Sequence, residues 1–325
     1  MPDRVTLTQI SSRAWEHPAD RVALNTLRAL PGFDEVVRKV AGFFGERGIR
    51  HLFLANAVRV GPRQRPKLDA LYTEVLETLD WPTRPQLYVT QTPFLNAAAV
   101  GFDEPFIVLN SGALSVLDRE EQRFILAHEL GHIMSGHTTY RTLAIIILTF
   151  GLQNLPFLAG IALMPFQLAL LEWYRKSELS SDRAGLLGVQ NDTDAMRTFL
   201  KMAGGSGGDD QIDLEAFLAQ ASEYEVDSNA WDTILKLLAI AFRDHPFATV
   251  RAAELQRWIA SGEYASIIGG NYIRRGGEGD RPLSDDYVDA AGYYGEKTRN
   301  AMNQIDQMID RARDAFTEAF RGRPK

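Results

Sequence analysis

An apolar, helix-forming stretch of the chain reads Phe124-Ile125-Leu126-Ala127-His128-Glu129-Leu130-Gly131-His132-Ile133-Met134. Within it, His128 and His132 are one helical turn apart, so both imidazole rings project from the same face and can bind one metal ion. Glu129 lies about 100° around the helix from His128. Its carboxylate is therefore placed beside the two ligands, where it can act as a general base. The stretch predicts a zinc site on a helix.

The helix that carries this motif has a recognisable start. Asp118 is a suitable N-cap residue and Glu121 follows three residues later, which is close to a capping box. We expect the helix to begin near Asp118 and to run to about Ser135, where Gly136 weakens it.

Two histidines leave room for a third protein ligand and for water at an open position of the zinc ion. Glu178 and Asp182 are four residues apart on one face of a helix predicted from Phe166 to Val189. Such a pair is usually solvated surface, but the upstream histidine motif favours a role in the site. We predict Glu178 as the third ligand and Asp182 as the acceptor for a ring N–H of a ligand histidine.

His137 is an alternative third ligand that the spacing disfavours. It lies nine positions after His128, about 180° around the helix if the helix continues. It also misses the longer H-E-x-x-H-x-x-G-x-x-H pattern by one residue. We therefore place His137 outside the metal ligands.

A small sheet is predicted just upstream of the zinc helix. Short β-prone runs cover 87–90 and 106–109, and the small residues of 96–102 lie between them. Two interpretations of the 96–102 segment stay open. It is either an edge strand that pairs with an extended peptide through backbone hydrogen bonds, or a central strand whose small side chains fit under a helix.

Residues 142–171 contain no charged side chain. Since zinc ligands lie on both sides of this run, a single membrane crossing would separate them, and two crossings would need about 40 residues and a turn. Two interpretations remain: an apolar helical hairpin buried in the protein or in a subunit interface, and a hairpin that makes peripheral contact with a membrane surface.

Composition narrows the class of protein. The 325 residues include 35 Lys and Arg against 42 Asp and Glu, a net charge of −7, and the charges are dispersed. We therefore expect no nucleic-acid partner, which would need a basic face. The absence of cysteine excludes disulfides and cysteine nucleophiles. Residues 1–35 lack the apolar core of a signal peptide, so we expect a cytoplasmic protein, with membrane association left open.

The chain divides into four predicted regions. Residues 1–84 form a helical region that packs on the catalytic unit, and residues 85–262 form the metallopeptidase core with the apolar hairpin 142–171 inserted. A Gly-rich linker covers 263–292, and an amphipathic helix covers 293–325. The apolar face of that last helix packs on the body or on a second subunit, which makes a homo-oligomer an expectation. The predicted fold class is α+β, predominantly helical, with a small sheet beside the zinc helix.

The ordered motifs resemble the zinc metallopeptidase family that includes the membrane protease HtpX and the CAAX prenyl endopeptidases, within the gluzincin group. The resemblance covers about residues 85–260 and implies a zincin-like core with one Zn2+ per chain. It implies His128, His132 and Glu178 as metal ligands. It further implies Glu129 as base, Asp182 and Arg251 as supporting residues, His245 as an oxyanion stabiliser, and Asn96, Ala97, Ala98 and Ala99 as the substrate-binding strand.

The function expected from these residues is that of a zinc-dependent endopeptidase acting on peptide or protein substrates, in which Glu129 activates a zinc-bound water. The alternative is a catalytically silent or latent zinc-binding scaffold that acts as a membrane or protein-partner adaptor. All the residues that the chemistry needs are present, which favours the enzyme.

Overall fold

A computed structural model of the chain describes residues 4–150, 164–204, 213–226 and 248–277. Within these ranges the strands are β1 (Ala57–Arg59), β2 (Gln86–Thr90), β3 (Ala97–Val100) and β4 (Phe106–Asn110). The α-helices are α1 (Pro18–Ala29), α2 (Phe33–Leu54), α3 (Pro66–Thr78), α4 (Ser111–Val116), α5 (Arg119–Met134), α6 (Thr138–Phe150), α7 (Met164–Val189), α8 (Asp192–Ala203), α9 (Leu214–Val226), α10 (Ala248–Ala260) and α11 (Glu263–Ile268). The prediction of a predominantly helical α+β fold is confirmed.

The four strands form one sheet in the order β1-β2-β4-β3. The central strands β2 and β4 are parallel, whereas β1 and β3 pair antiparallel to their neighbours. Of the two interpretations of the 96–102 segment, the structure supports the edge strand. Strand β1 was not predicted, and through it the N-terminal region contributes to the sheet as well as packing against it.

The central strands β2 and β4 are buried on both faces. Leu87 and Ile107 face a core shared with α3, α5 and α8, while Tyr88 and Val108 face a second core shared with α1, α2, α6 and α7. Because successive side chains of a strand point to opposite faces, a short apolar strand can serve two cores. The first core carries α5 against β3.

The helix α5 begins as its sequence indicates. The Asp118 side chain accepts hydrogen bonds from the backbone N–H groups of Glu120 and Glu121, and the Glu121 side chain accepts from the backbone N–H of Asp118. This reciprocal capping box fixes the first turn of the helix. The predicted start of the zinc helix is confirmed.

Small residues bring α5 and α7 into close contact. A Cβ atom added at Gly188 would lie 2.2 Å from the Cβ atom of Ala127, and one added at Gly131 would lie 2.5 Å from the Cβ atom of Ala184. Both distances are far below van der Waals contact. The two helices that carry the predicted zinc ligands therefore approach nearly backbone to backbone.

The described ends of the apolar run are buried in protein. Leu143 and Ile146 of α6 and Ala169 and Leu170 of α7 all belong to the second core. No helix within the described ranges is both long and apolar enough to cross a membrane. The buried hairpin is thus supported for the parts in α6 and α7, and residues 151–163 lie outside the described residues.

The segment after the core differs from the predicted linker. Residues 263–268 form α11, and the Ser11 N–H donates to the Ile273 carbonyl at 3.0 Å while the Arg275 N–H donates to the Gln9 carbonyl at 2.7 Å. Residues 263–277 are therefore packed against the N-terminal segment, which a count of glycines does not reveal. The rest of the predicted linker, the C-terminal helix 293–325 and His245 lie outside the described residues.

Candidate metal centre

Three of the predicted site residues bring their ligand atoms together. The Nε2 atoms of His128 and His132 are 3.2 Å apart. Glu178 Oε1 lies 3.3 Å from His132 Nε2, and Glu178 Oε2 lies 3.6 Å from His128 Nε2. All three side chains are buried. Helix α5 supplies both histidines and α7 supplies the carboxylate, so the close packing of the two helices assembles the group.

These distances fit a zinc ion. In a tetrahedral site with metal–ligand bonds of about 2.0–2.1 Å, neighbouring ligand atoms are about 3.3 Å apart. Among the described residues, this trio is the group whose donor atoms suit a metal, all of them lying within 4.8 Å of one another. Two imidazoles and one carboxylate are also a donor set that zinc uses in catalytic sites.

The Nδ1 side of the His128 ring contacts a carboxylate, which in turn pairs with a guanidinium. Its Nδ1 atom is 3.0 Å from Asp182 Oδ1. Arg251 donates from Nε to Asp182 Oδ2 at 2.8 Å and from Nη2 to Asp182 Oδ1 at 2.5 Å. The structure thus places Asp182 and Arg251 next to the predicted ligands, and the pair of parallel hydrogen bonds fixes the orientation of Asp182.

The charges around His128 favour a cation at its ring. Burial lowers the pKa of His128, but the hydrogen bonds and charges of Asp182 and Glu178 outweigh burial and raise the pKa to about 9. Burial also raises the pKa of Asp182, yet the charge and hydrogen bonds of Arg251 hold that pKa below its ordinary value. Surroundings that attract a proton to a histidine attract a metal cation as well, and the two compete for Nε2.

Arg141 is a site residue that sequence reasoning missed. It is fully buried in α6 and forms an ion pair with Glu178 Oε1, while Arg251 Nη1 lies 3.2 Å from Glu178 Oε2. The guanidinium of Arg141 also lies over the ring of Tyr174, 4.5 Å from the ring centroid. The available signal was an arginine at the border of an uncharged run, which does not identify its partner.

His132 differs from His128 in its surroundings. Burial and the charge of Arg141 lower the pKa of His132 well below its ordinary value. The ring is therefore neutral, and a neutral ring has a lone pair for a metal. Its second nitrogen, Nδ1, faces His137 at 3.1 Å. His137 thus lies next to a predicted ligand and is not part of the group of three.

Glu129 is linked to the edge strand. Its Oε2 atom accepts a hydrogen bond of 2.7 Å from the backbone N–H of Ala99, and its Oε1 atom lies 4.0 Å from His128 Nε2. Asn96 contributes differently, since its side chain accepts from the N–H of Ala97 at 2.8 Å. The edge strand and the motif helix are thus joined at Glu129.

Comparison with known proteins gives one family. The sequence model of peptidase family M48 matches residues 62–259. The chain is 33% identical over 258 residues to the plastoglobule-localized metallopeptidase 48 of Arabidopsis thaliana, which covers 78% of this chain and 74% of that protein. It is 35% identical over 82 residues to a protease HtpX homolog of Helicobacter pylori, 25% of this chain and 26% of that protein. It is 29% identical over 133 residues to a protease HtpX homolog of Moorella thermoacetica, and the match covers 39% of this chain and 44% of that protein. No solved structure matches.

Proposed function

The chain belongs to peptidase family M48 and is a zinc metalloprotease, and we propose that His128, His132 and Glu178 hold its catalytic zinc ion while Glu129 serves as the general base. The family assignment confirms the resemblance drawn from the motifs. The substrates are peptides or proteins, and the finer proposal is cleavage within the chain of the substrate, as in an endopeptidase.

The observation that carries this proposal is the convergence of three buried side chains, of which each pair brings ligand atoms to within 3.2–3.6 Å of each other. The supporting side chains strengthen it. Asp182 holds one ligand histidine, and Arg141 and Arg251 hold the two oxygens of Glu178. The ligand side chains are therefore oriented before any ion binds, which favours tight binding.

A zinc ion held by His128, His132 and Glu178 would polarise the carbonyl of the substrate and would lower the pKa of bound water to about 7. Glu129 takes up the proton of the attacking water at Oε1, which faces His128, and delivers it to the nitrogen of the leaving amine. The Ala99 N–H keeps Oε2 in place. The carboxylate of the base is thereby held in one orientation.

The substrate lies along the edge strand β3 in this proposal. The backbone carbonyl of Asn96 accepts a hydrogen bond from the backbone N–H of Asn110 in β4. Because hydrogen-bonded residues alternate along an antiparallel strand, the backbone N–H and carbonyl groups of Ala97 and Ala99 point away from β4. The Ala99 N–H is already used by Glu129. The carbonyl groups of Ala97 and Ala99 thus remain to accept hydrogen bonds from an extended peptide. Ala98, whose backbone pairs with β4, offers a small side chain.

Several earlier expectations stay predictions. The role of His245 falls outside the described residues. The cytoplasmic location, peripheral membrane contact through 142–171, the homo-oligomer and the count of one zinc ion per chain also stay predictions.

The decisive experiment compares Glu129→Gln with wild-type protein. The glutamine keeps the shape of the side chain but cannot take up a proton, so we expect a loss of about 10²–10⁴-fold in casein cleavage with the zinc content unchanged. Glu77→Gln, an exposed change on α3, is the matched control and should leave both quantities unaltered.

Zinc analysis separates the competing outcomes. His132→Ala should lose zinc together with activity. Cleavage by zinc-loaded Glu129→Gln at the wild-type rate would refute the assigned base. A wild-type protein with a full complement of zinc and no cleavage of casein or of a peptide library would favour the silent or latent scaffold.

A further inference from the structure

His132 has a chain of buried polar groups behind it. Its Nδ1 atom lies 3.1 Å from Nδ1 of His137, and Nε2 of His137 lies 3.1 Å from Oδ2 of Asp20. The three side chains are 0%, 2% and 1% exposed, respectively. This chain leads from a proposed zinc ligand on α5, through the start of α6, to the first turn of α1.

The positions of the protons along this chain follow from metal binding. If His132 Nε2 gives its lone pair to a metal, its proton resides on Nδ1 and is donated to His137 Nδ1. His137 must then accept at Nδ1 and carry its own proton on Nε2. That proton points to Asp20, whose carboxylate is an acceptor only. Each contact in the series thus has one donor and one acceptor.

Asp20 is itself fixed in place. Its Oδ2 atom also accepts from the Ser180 hydroxyl of α7 at 2.5 Å, and that hydroxyl accepts from the backbone N–H of His17 at 2.9 Å. Asp20 lies in the first turn of α1, where the helix dipole favours a negative charge. The N-terminal helix is therefore anchored on the helix that carries Glu178.

We propose that Asp20 and His137 form a positioning pair that fixes the tautomer and the orientation of His132 for metal binding. The proposal rests on the proposed zinc site. Each ligand histidine would then have its own carboxylate: Asp182 contacts His128 directly, whereas Asp20 acts on His132 through the ring of His137. The N-terminal region, which carries no recognised motif, supplies part of the support of the metal centre.

Zinc affinity of the full 325-residue chain, measured by competition with a chromophoric chelator, tests the pair. His137→Ala removes the acceptor of His132 and should weaken zinc binding by about 10- to 100-fold, as is usual for groups that orient metal ligands. Asp20→Ala should weaken binding by a smaller factor. Asp20→Asn keeps an oxygen for both His137 and Ser180 and should restore most of the affinity.

A double-mutant cycle separates positioning from general damage to the fold. If Asp20 acts through His137, then Asp20→Ala should cause no further loss of affinity in a His137→Ala background. Leu27→Ala is the matched control, because it weakens the buried face of the same helix away from the pair. It should lower stability and leave zinc affinity within about twofold. Full additivity of Asp20→Ala and His137→Ala, or an equal effect of Leu27→Ala on affinity, would overturn the proposal.

The tautomers of His132 and His137 in the wild-type protein give a test that does not depend on any variant folding correctly. Nitrogen-15 chemical shifts should show His132 protonated at Nδ1 and His137 protonated at Nε2 in the zinc-loaded chain. A His137 ring protonated at Nδ1 would overturn the pair. Wild-type protein that binds no zinc would refute the proposed function, whereas wild type that binds zinc no better than His137→Ala would refute only the positioning pair.

Discussion

Replacing Gly131 by alanine should force α5 and α7 apart and disturb the metal centre. The added Cβ atom would lie 2.5 Å from the Cβ atom of Ala184, and its next neighbour, Ser181 Cα, is at an ordinary 3.6 Å. Since carbon atoms pack at about 3.5–4.0 Å, the helices would have to separate by about 1 Å at this point. Glu178 lies three residues before Ser181 on α7, so this shift would move it away from both histidines.

The expected loss of stability combines two opposing effects. Overpacking of this kind costs about 1–3 kcal/mol, while alanine is a better helix former than glycine by about 1 kcal/mol. We therefore expect Gly131→Ala to lower the free energy of unfolding by up to about 2 kcal/mol and to weaken zinc binding. Urea unfolding and chelator competition measure the two quantities.

Two further variants make the prediction specific. Gly42 in α2 has no atom within 4 Å of an added Cβ, so Gly42→Ala should be neutral or stabilising by up to about 1 kcal/mol. Exchanging the pair, Gly131→Ala with Ala184→Gly, removes the clash and keeps the number of helical alanines. That double variant should regain wild-type stability and zinc affinity. A single Gly131→Ala variant as stable as Gly42→Ala, or an exchange that restores nothing, would refute this account of the helix packing.

Two other perturbations probe charged groups. Arg141→Met leaves Glu178 Oε1 without its ion pair. In excess chelator this should lower the free energy of unfolding by up to about 3 kcal/mol, and with saturating zinc by less. Urea titrations under the two conditions measure these losses, and equal losses would contradict the prediction. Burial raises the pKa of Glu172, but the charges of Arg175 and Lys176 outweigh it and lower the pKa to about 2. Because the folded-state pKa is depressed, the stability due to Glu172 is present at neutral pH and is lost as the pH falls toward 2. The stability difference between wild type and Glu172→Gln should therefore shrink between about pH 5 and about pH 2, and a difference independent of pH would contradict the assignment.

Much of the site was predictable because its information is local. The spacing of His128 and His132 places two rings on one face of a helix, and Asp118 with Glu121 fixes where that helix starts. Glu178 and Asp182 form an equivalent pattern on a second helix. Periodicity and capping depend on residues within one or two turns, so sequence alone determined the elements and the donor types.

The tertiary structure decided which elements meet and which charges pair. Gly131 and Gly188 allow α5 and α7 to approach closely, and no local pattern states which helix a glycine faces. Arg141 and Asp20 reach the site from α6 and α1, and their importance depends on contacts made after the chain has packed. The effect of a buried charge on stability depends on the partner that compensates it, and here that partner is distant in sequence. The sequence was sufficient to predict the three zinc ligands. The packing of the helices alone decided which other side chains orient those ligands.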